Sequence, residues 1–151
     1  QILKTAPSKL LLAELNEFAL YAIEQDLRKA MAAGGLLANL KDVALVPLLA
    51  DVRSAARMAE IMQTWQPHTV YHAAAYKHVP LVEHNPTEGV RNNVWGTRVC
   101  AEAAMRNSVR SVTRSCGPKP NTRSASGRRR APACRNGRGC IFTVPNSRKR
   151  Q

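Results

Sequence analysis

The residues best able to take part in chemistry lie in one stretch between Thr69 and Thr97. A short apolar run ends there at His72, three alanines follow at 73–75, and Lys77 comes shortly after them. Alanines let a ligand approach the backbone closely, and a lysine ammonium can donate a charge-assisted hydrogen bond to a ribose or diphosphate oxygen. The pattern predicts the floor of a cofactor site with one cation beside it, and a solvated loop lysine is the alternative.

Two acidic residues follow two other apolar runs. Glu14 ends the run 9–14, and Asp51 comes shortly after the run 43–49. In a dinucleotide-binding fold, an acid at a strand end accepts hydrogen bonds from the adenosine ribose hydroxyls, which favours NAD over NADP. Taken alone, Glu14 could equally be an ordinary strand-end acid and Asp51 an ordinary turn residue.

The histidines suggest a metal site at first sight, because all four fall within seventeen residues: His68, His72, His78 and His84. Their spacing does not give a pair at i, i+4 on a helix, and no cysteine lies near them in the sequence. We therefore predict no metal ligands. His72 is predicted to be a strand residue packed beside the cofactor.

Alternating strands and helices must position these residues. Strands are predicted at 9–14, 43–49 and 69–73, and a fourth begins at Ser108; Pro47 favours an edge position for the second. Asn16 and Ser54 are candidate N-caps of the two intervening helices. The repeated order of strand and helix predicts an α/β fold with a partial, doubly wound parallel sheet.

The helix after the third strand has the clearest start signal. Asn85 as N-cap, Pro86 and Glu88 predict a capping box. An apolar stripe is predicted at Val90, Val94, Thr97, Ala101 and Ala104. Gly96 within this helix indicates a close approach to the sheet, since glycine otherwise costs about 1 kcal/mol in a helix interior.

Charge and cysteine usage change abruptly at residue 113. Residues 1–113 contain 12 Lys/Arg and 10 Asp/Glu, whereas residues 114–151 contain 11 Lys/Arg and no acid. The second segment has few apolar residues, so we predict a disordered basic tail.

Cys116, Cys134 and Cys140 lie in this tail without paired ligand spacing, and Cys100 is predicted to be buried in a helix. With no apolar run of about 20 residues and no signal-peptide pattern, a cytoplasmic location is expected.

Three motifs carry a family resemblance: Tyr71-His-Ala-Ala-Ala-Tyr-Lys-His-Val-Pro80, Asn92-Asn-Val-Trp-Gly-Thr97 and Glu17-Phe-Ala-Leu-Tyr21. Over residues 1–112 the chain resembles the nucleotide-sugar dehydratases of bacterial polysaccharide biosynthesis. These are the CapD-type or UDP-N-acetylglucosamine 4,6-dehydratase-like branch of the extended short-chain dehydrogenase/reductase superfamily. The resemblance implies a Rossmann-like domain that binds NAD or NADP, with a UDP-sugar as substrate.

The resemblance also implies which residues contact the cofactor: Glu14, Asn16, Asp51, Val52, Ala73 and Lys77. It gives the Asp51–Val52 pair the contact with the adenine edge. Asn92 and Asn93 resemble the family's paired asparagines. Because a buried amide needs a partner, one of them is predicted to hydrogen-bond a neighbouring loop, with direct cofactor contact as the alternative. Homo-oligomers are possible, and full-length relatives often lie at the inner membrane.

The chain departs from the family at two places. No segment matches the family's first strand and G-x-x-G-x-x-G loop, and Thr113-Arg-Ser-Cys-Gly-Pro118 stands where a Ser-Thr-Asp-Lys segment is expected. We therefore assign no catalytic residue. The prediction is a partial NAD(P)-binding domain at 1–113 and a tail at 114–151, inactive alone and poorly folded because a gap separates two strand pairs. Alternatives are a nucleotide-sugar 4-epimerase and a basic protein that binds nucleic acid through the tail.

Overall fold

The computed structural model describes residues 2–33, 43–114 and 139–144. After a 3-10 turn at Ile2–Thr5, the elements in chain order are β1 (Lys9–Glu14), α1 (Glu17–Ala32), β2 (Ala44–Leu49), α2 (Ala55–Trp65), β3 (Thr69–His72), α3 (Val79–His84), α4 (Pro86–Val90), a π-helical turn (Arg91–Trp95), α5 (Gly96–Arg106), β4 (Ser111–Arg114) and β5 (Cys140–Val144).

The five strands form one sheet in the order β2-β1-β5-β3-β4. β1 pairs in parallel with β2, and β3 pairs in parallel with β4. β5 runs antiparallel to both of its neighbours. The predicted α/β class with a largely parallel, Rossmann-like sheet is confirmed, and Pro47 lies on the edge strand β2 as predicted.

β5 corrects the prediction of disorder for part of the tail. Its residues occupy the position between β1 and β3 where a gap was expected. Two inner strand edges without partners offer rows of backbone donors and acceptors. The segment 140–144 is the one apolar, strand-prone run in the tail, and its Phe142 is fully buried. The other tail residues, 115–138 and 145–151, lie outside the described residues.

The sheet has an apolar core on each face, because successive residues of a strand point to opposite sides. Leu11 and Ala13 face a cluster with residues of α2 and α5, whereas Leu10 and Leu12 face a second cluster against α1. The first cluster also contains Phe142 and Val70. β5 is thus part of the core that holds β1 and β3 together.

The segment after β3 differs from the prediction in two respects. The capping box is not formed: Asn85 Nδ2 donates to the Leu81 carbonyl, and Glu88 contacts other side chains. Val90 and Val94 are exposed, while Asn92 and Gly96 face inward. The predicted stripe is wrong at Val90 and Val94 because Asn92 and Gly96 occupy the inner face of the helix. Gly96 does mark a close approach, but to the turn after β2 rather than to a strand, since a Cβ there would lie 3.0 Å from Val52 Cγ2.

Helix caps predicted from local sequence are present. Asn16 Oδ1 accepts a hydrogen bond from Ala19 N, and the Ser54 side chain accepts one from Arg57 N. The fourth strand begins at Ser111 rather than Ser108, because Ser108 has a left-handed φ of 55° and lies in a turn. Among the described residues, no helix is long and apolar enough to cross a membrane.

Candidate functional site

The predicted cofactor residues gather at one edge of the sheet. β1 to β4 all run in the same direction, so their C-terminal ends meet at what we call the carboxyl edge. Glu14 is the last residue of β1, Ala50 directly follows β2, and Ala73 directly follows β3. Ala50 N donates to the Glu14 carbonyl at 3.0 Å, which joins the first two ends. This edge is where open α/β sheets bind their ligands.

The end of β1 is joined to the start of α1 through two side chains. Glu14 Oε1 accepts a hydrogen bond from Asn16 N at 3.0 Å, and Asn16 Oδ1 in turn accepts one from Ala19 N at 2.9 Å. The turn therefore holds the half-buried Glu14 carboxylate beside the first turn of α1. That position suits an acceptor for ribose hydroxyls, which stays a prediction for Glu14 and Asn16.

The end of β2 carries a network of charged groups. Both oxygens of the Asp51 carboxylate accept hydrogen bonds from Arg53, at 2.9 to 3.0 Å. The Arg53 guanidinium also donates to Glu88 at 2.7 Å, and Glu88 accepts from the Tyr76 hydroxyl at 3.2 Å. Hydrogen bonding from Arg53 lowers the pKa of Asp51, so this carboxylate is ionised at neutral pH. Arg53 thereby joins the end of β2 to the loop after β3.

Val52 fixes the adjacent backbone, because its side chain is buried against Gly96. The backbone of the Asp51–Val52 pair is therefore held by packing on one side and by Arg53 on the other. The adenine contact expected for these two residues stays a prediction. A rigid backbone is what such recognition requires, since ordering a loop on binding reduces affinity.

The loop after β3 is held by the paired asparagines. Asn93 Oδ1 accepts from Tyr76 N at 2.8 Å, and Asn93 Nδ2 donates to the Tyr76 carbonyl at 3.2 Å. Asn92 is buried and donates to the Ala74 carbonyl at 2.9 Å. The prediction that these asparagines support a neighbouring loop is confirmed. The half-buried Lys77 follows directly after the residue held by Asn93.

The alanine floor has a neighbour that the sequence did not indicate. Ala73 N donates to the Gly139 carbonyl at 3.2 Å. Gly139 packs so tightly that an added Cβ would lie 2.5 Å from the Ala13 carbonyl oxygen and 3.0 Å from Glu14 Oε2. Gly139 therefore occupies the space between the end of β1 and the backbone of Ala73.

Close to Ala73, the structure brings together three residues that are distant in sequence. His72 Nδ1 lies 2.8 Å from Cys140 Sγ, and Cys140 Sγ lies 4.0 Å from Cys100 Sγ. All three side chains are buried. A hydrogen bond from Cys140 holds the pKa of the Cys100 thiol below its ordinary range, while that interaction and burial raise the pKa of Cys140. His72 is a buried strand residue as predicted.

Little in the sequence indicates this cluster. Cys140 is 68 residues from His72 in the sequence and was predicted to lie in a disordered tail. No cysteine is near the histidines along the sequence, but in the fold Cys140 lies beside His72. The other histidines do not join it: His78 and His84 are exposed, and His68 contacts Thr69. The alternative of nucleic-acid binding rests on the tail, whose basic runs at 128–130 and 148–150 lie outside the described residues.

Three comparisons relate the chain to known proteins. A family model described as "Polysaccharide biosynthesis protein" matches residues 1–117. The capsular polysaccharide biosynthesis protein CapD of Staphylococcus aureus is 40% identical over 109 residues, which are 72% of this chain and 17% of CapD. A UDP-N-acetylglucosamine 4,6-dehydratase (inverting) of Campylobacter jejuni is 35% identical over 75 residues, covering 46% of this chain and 22% of that enzyme.

Among solved structures, Pen from Bacillus thuringiensis superposes with a TM-score of 0.53 at 24% sequence identity. The match covers 70% of this chain and 28% of Pen, and it supports the fold alone. This chain therefore spans less than a third of the length of each of these three proteins.

Proposed function

The chain belongs to the polysaccharide biosynthesis protein family, and on that premise we propose that it forms part of the NAD(P)-binding domain of a nucleotide-sugar 4,6-dehydratase. The observation that carries this proposal is the carboxyl edge, where Glu14, Asp51 and Ala73 lie at or just after the ends of three strands that run in the same direction. The similarity to a UDP-N-acetylglucosamine 4,6-dehydratase supports a UDP-sugar as substrate.

Each residue group has a role in this proposal. Glu14 and Asn16 hold the adenosine ribose, and Asp51 with Val52 holds the adenine edge. Lys77 donates from its ammonium group to the nicotinamide ribose or a diphosphate oxygen, above the small side chain of Ala73. When bound, NAD or NADP supplies the hydride acceptor for oxidation of the sugar.

We further propose that the chain has no dehydratase activity alone. In the family fold, the central strand leads at the carboxyl edge into a glycine-rich loop and a helix N-terminus, whose amides hold the pyrophosphate. β5 is antiparallel, so its first residue, not its last, lies at this edge, and Gly139 precedes it there. Within the described residues, β4 ends at Arg114, where the family has its acid and base residues. Weak cofactor binding without turnover is the expected behaviour.

Lys77 provides the first test. We expect NADH to bind the chain weakly and saturably, and Lys77→Met to weaken binding about tenfold, the effect of losing about 1.4 kcal/mol. The loss follows from removing one charge-assisted hydrogen bond at a half-buried position. NADH fluorescence titration at fixed ionic strength measures it, together with product formation from UDP-N-acetylglucosamine.

The matched control is Lys29→Met, which removes an exposed lysine from the last turn of α1. Its binding should equal that of the unmodified chain. Equal affinities for both lysine variants would contradict the role of Lys77, and turnover by the unmodified chain would contradict the proposed inactivity.

A further inference from the structure

We propose that His72, Cys100 and Cys140 form a binding site for a single Zn²⁺ ion that joins β3, α5 and β5. The imidazole nitrogen and the two sulfurs lie within 4.8 Å of one another. His72 ends β3, Cys140 begins β5 and Cys100 lies on α5, so each ligand comes from a different element. The inference does not depend on the proposed dehydratase function.

The spacing of the ligand atoms is close to that of a zinc site. Zinc bonds of about 2.3 Å to sulfur and about 2.0 Å to nitrogen, in tetrahedral geometry, place two sulfurs about 3.8 Å apart and a nitrogen about 3.5 Å from each sulfur. The two cysteine sulfurs are 4.0 Å apart, and His72 Nδ1 is 2.8 Å from Cys140 Sγ. Movement of less than about 1 Å therefore brings that nitrogen and sulfur to the required spacing.

The orientation of the His72 ring follows from its other neighbour. The Thr97 hydroxyl donates its one hydrogen to the Asn93 carbonyl at 2.6 Å. It can therefore only accept from His72 Nε2, which lies 2.9 Å away. His72 must carry its proton on Nε2, and the lone pair of Nδ1 points towards Cys140. Zinc-binding histidines are commonly held by such a hydrogen bond from their second nitrogen.

The summed charge of the three ligands favours Zn²⁺ over Cu⁺. Two thiolates and a neutral imidazole around Zn²⁺ form a centre with no net charge, which can be buried at low cost. Cu⁺ with the same ligands would leave one negative charge in surroundings where each of the three side chains is at most 2% exposed. Thiolate and imidazole ligands exclude Mg²⁺ and Ca²⁺, which prefer oxygen. Three protein ligands leave the fourth position to a water molecule.

The test uses the full chain in which the remaining tail cysteines are removed by Cys116→Ser and Cys134→Ser. Under a thiol-free reductant, this variant should bind one Co²⁺ with thiolate-to-metal charge-transfer bands, and Zn²⁺ should displace it. Cys100→Ser or His72→Gln in the same background should weaken metal binding at least about 100-fold, because each removes a ligand. Thr97→Val should weaken metal binding about tenfold or more, because the His72 ring loses the hydrogen bond from Nε2 to the Thr97 hydroxyl.

Loss of binding in a ligand variant could follow from unfolding, so X-ray absorption at the zinc edge provides a second measurement without further substitution. It should show two sulfurs and one nitrogen around the ion. A shell of oxygen and nitrogen without sulfur would overturn the proposal. So would the absence of Co²⁺ binding in the folded double variant, or equal affinity in the Cys100→Ser protein.

Discussion

Replacing Phe142 with alanine should lower the free energy of unfolding by about 3–5 kcal/mol, the usual cost of removing a buried phenylalanine. Phe142 is fully buried and lies opposite Leu11 of β1 and Val70 of β3. It belongs to the core cluster that joins the two halves of the sheet. Because a domain is stable by only about 5–15 kcal/mol, this loss should leave little folded protein at moderate urea concentration.

The chain contains a matched control for this substitution. Its other phenylalanine, Phe18 on α1, is 79% exposed, so Phe18→Ala should change stability by no more than about 0.5 kcal/mol. Urea unfolding followed by circular dichroism compares the two variants. Similar midpoints for Phe142→Ala and Phe18→Ala would show that β5 is not inserted between β1 and β3.

Replacing Asn92 with leucine should lower the free energy of unfolding by about 2–3 kcal/mol. The substitution keeps a side chain of similar size but removes the donor to the Ala74 carbonyl, in a buried residue. A buried acceptor left without a partner costs about 1–3 kcal/mol. Asn92 Nδ2 also donates to Asn93 Oδ1, so the hold of Asn93 on Tyr76 should weaken as well.

Asn85→Leu is the matched control for Asn92→Leu. The Asn85 side chain also donates to a backbone carbonyl at 2.9 Å, but the bond stays within its own turn and the residue is exposed. Asn85→Leu should therefore cost less than about 0.5 kcal/mol. Thermal unfolding and hydrogen exchange of the Ala73–Lys77 amides compare Asn92→Leu with Asn85→Leu. Equal protection of these amides in both variants would show that Asn92 does not hold the loop.

Features that depend on neighbouring residues in the sequence were predictable. The caps at Asn16 and Ser54 use side chains three positions from their partners. The edge position of β2 follows from Pro47, which has no donor for a second strand. The asparagine support of the loop after β3 could also be inferred, because a buried amide must find a partner. These are the parts of the fold that place the candidate cofactor residues.

Features that depend on distant segments were not predictable. The insertion of β5 depends on two strand edges that meet only in the folded sheet, and no local pattern of Cys140–Val144 reports it. The thiol–imidazole cluster follows from that insertion, since β5 brings Cys140 to His72. The inner face of the helix after β3 was misassigned because apolar periodicity favours Val90 and Val94 over Asn92.

Hydrogen exchange of the full chain with and without saturating NADH reports where the nucleotide lies. We expect added protection at the carboxyl edge: residues 14–16, 51–52 and 73–77. Amides at the opposite edge, around Lys9, Ala44 and Thr69, should exchange as they do without ligand. Protection centred on that opposite edge, or no change anywhere at saturating NADH, would contradict a nicotinamide nucleotide site built on these residues.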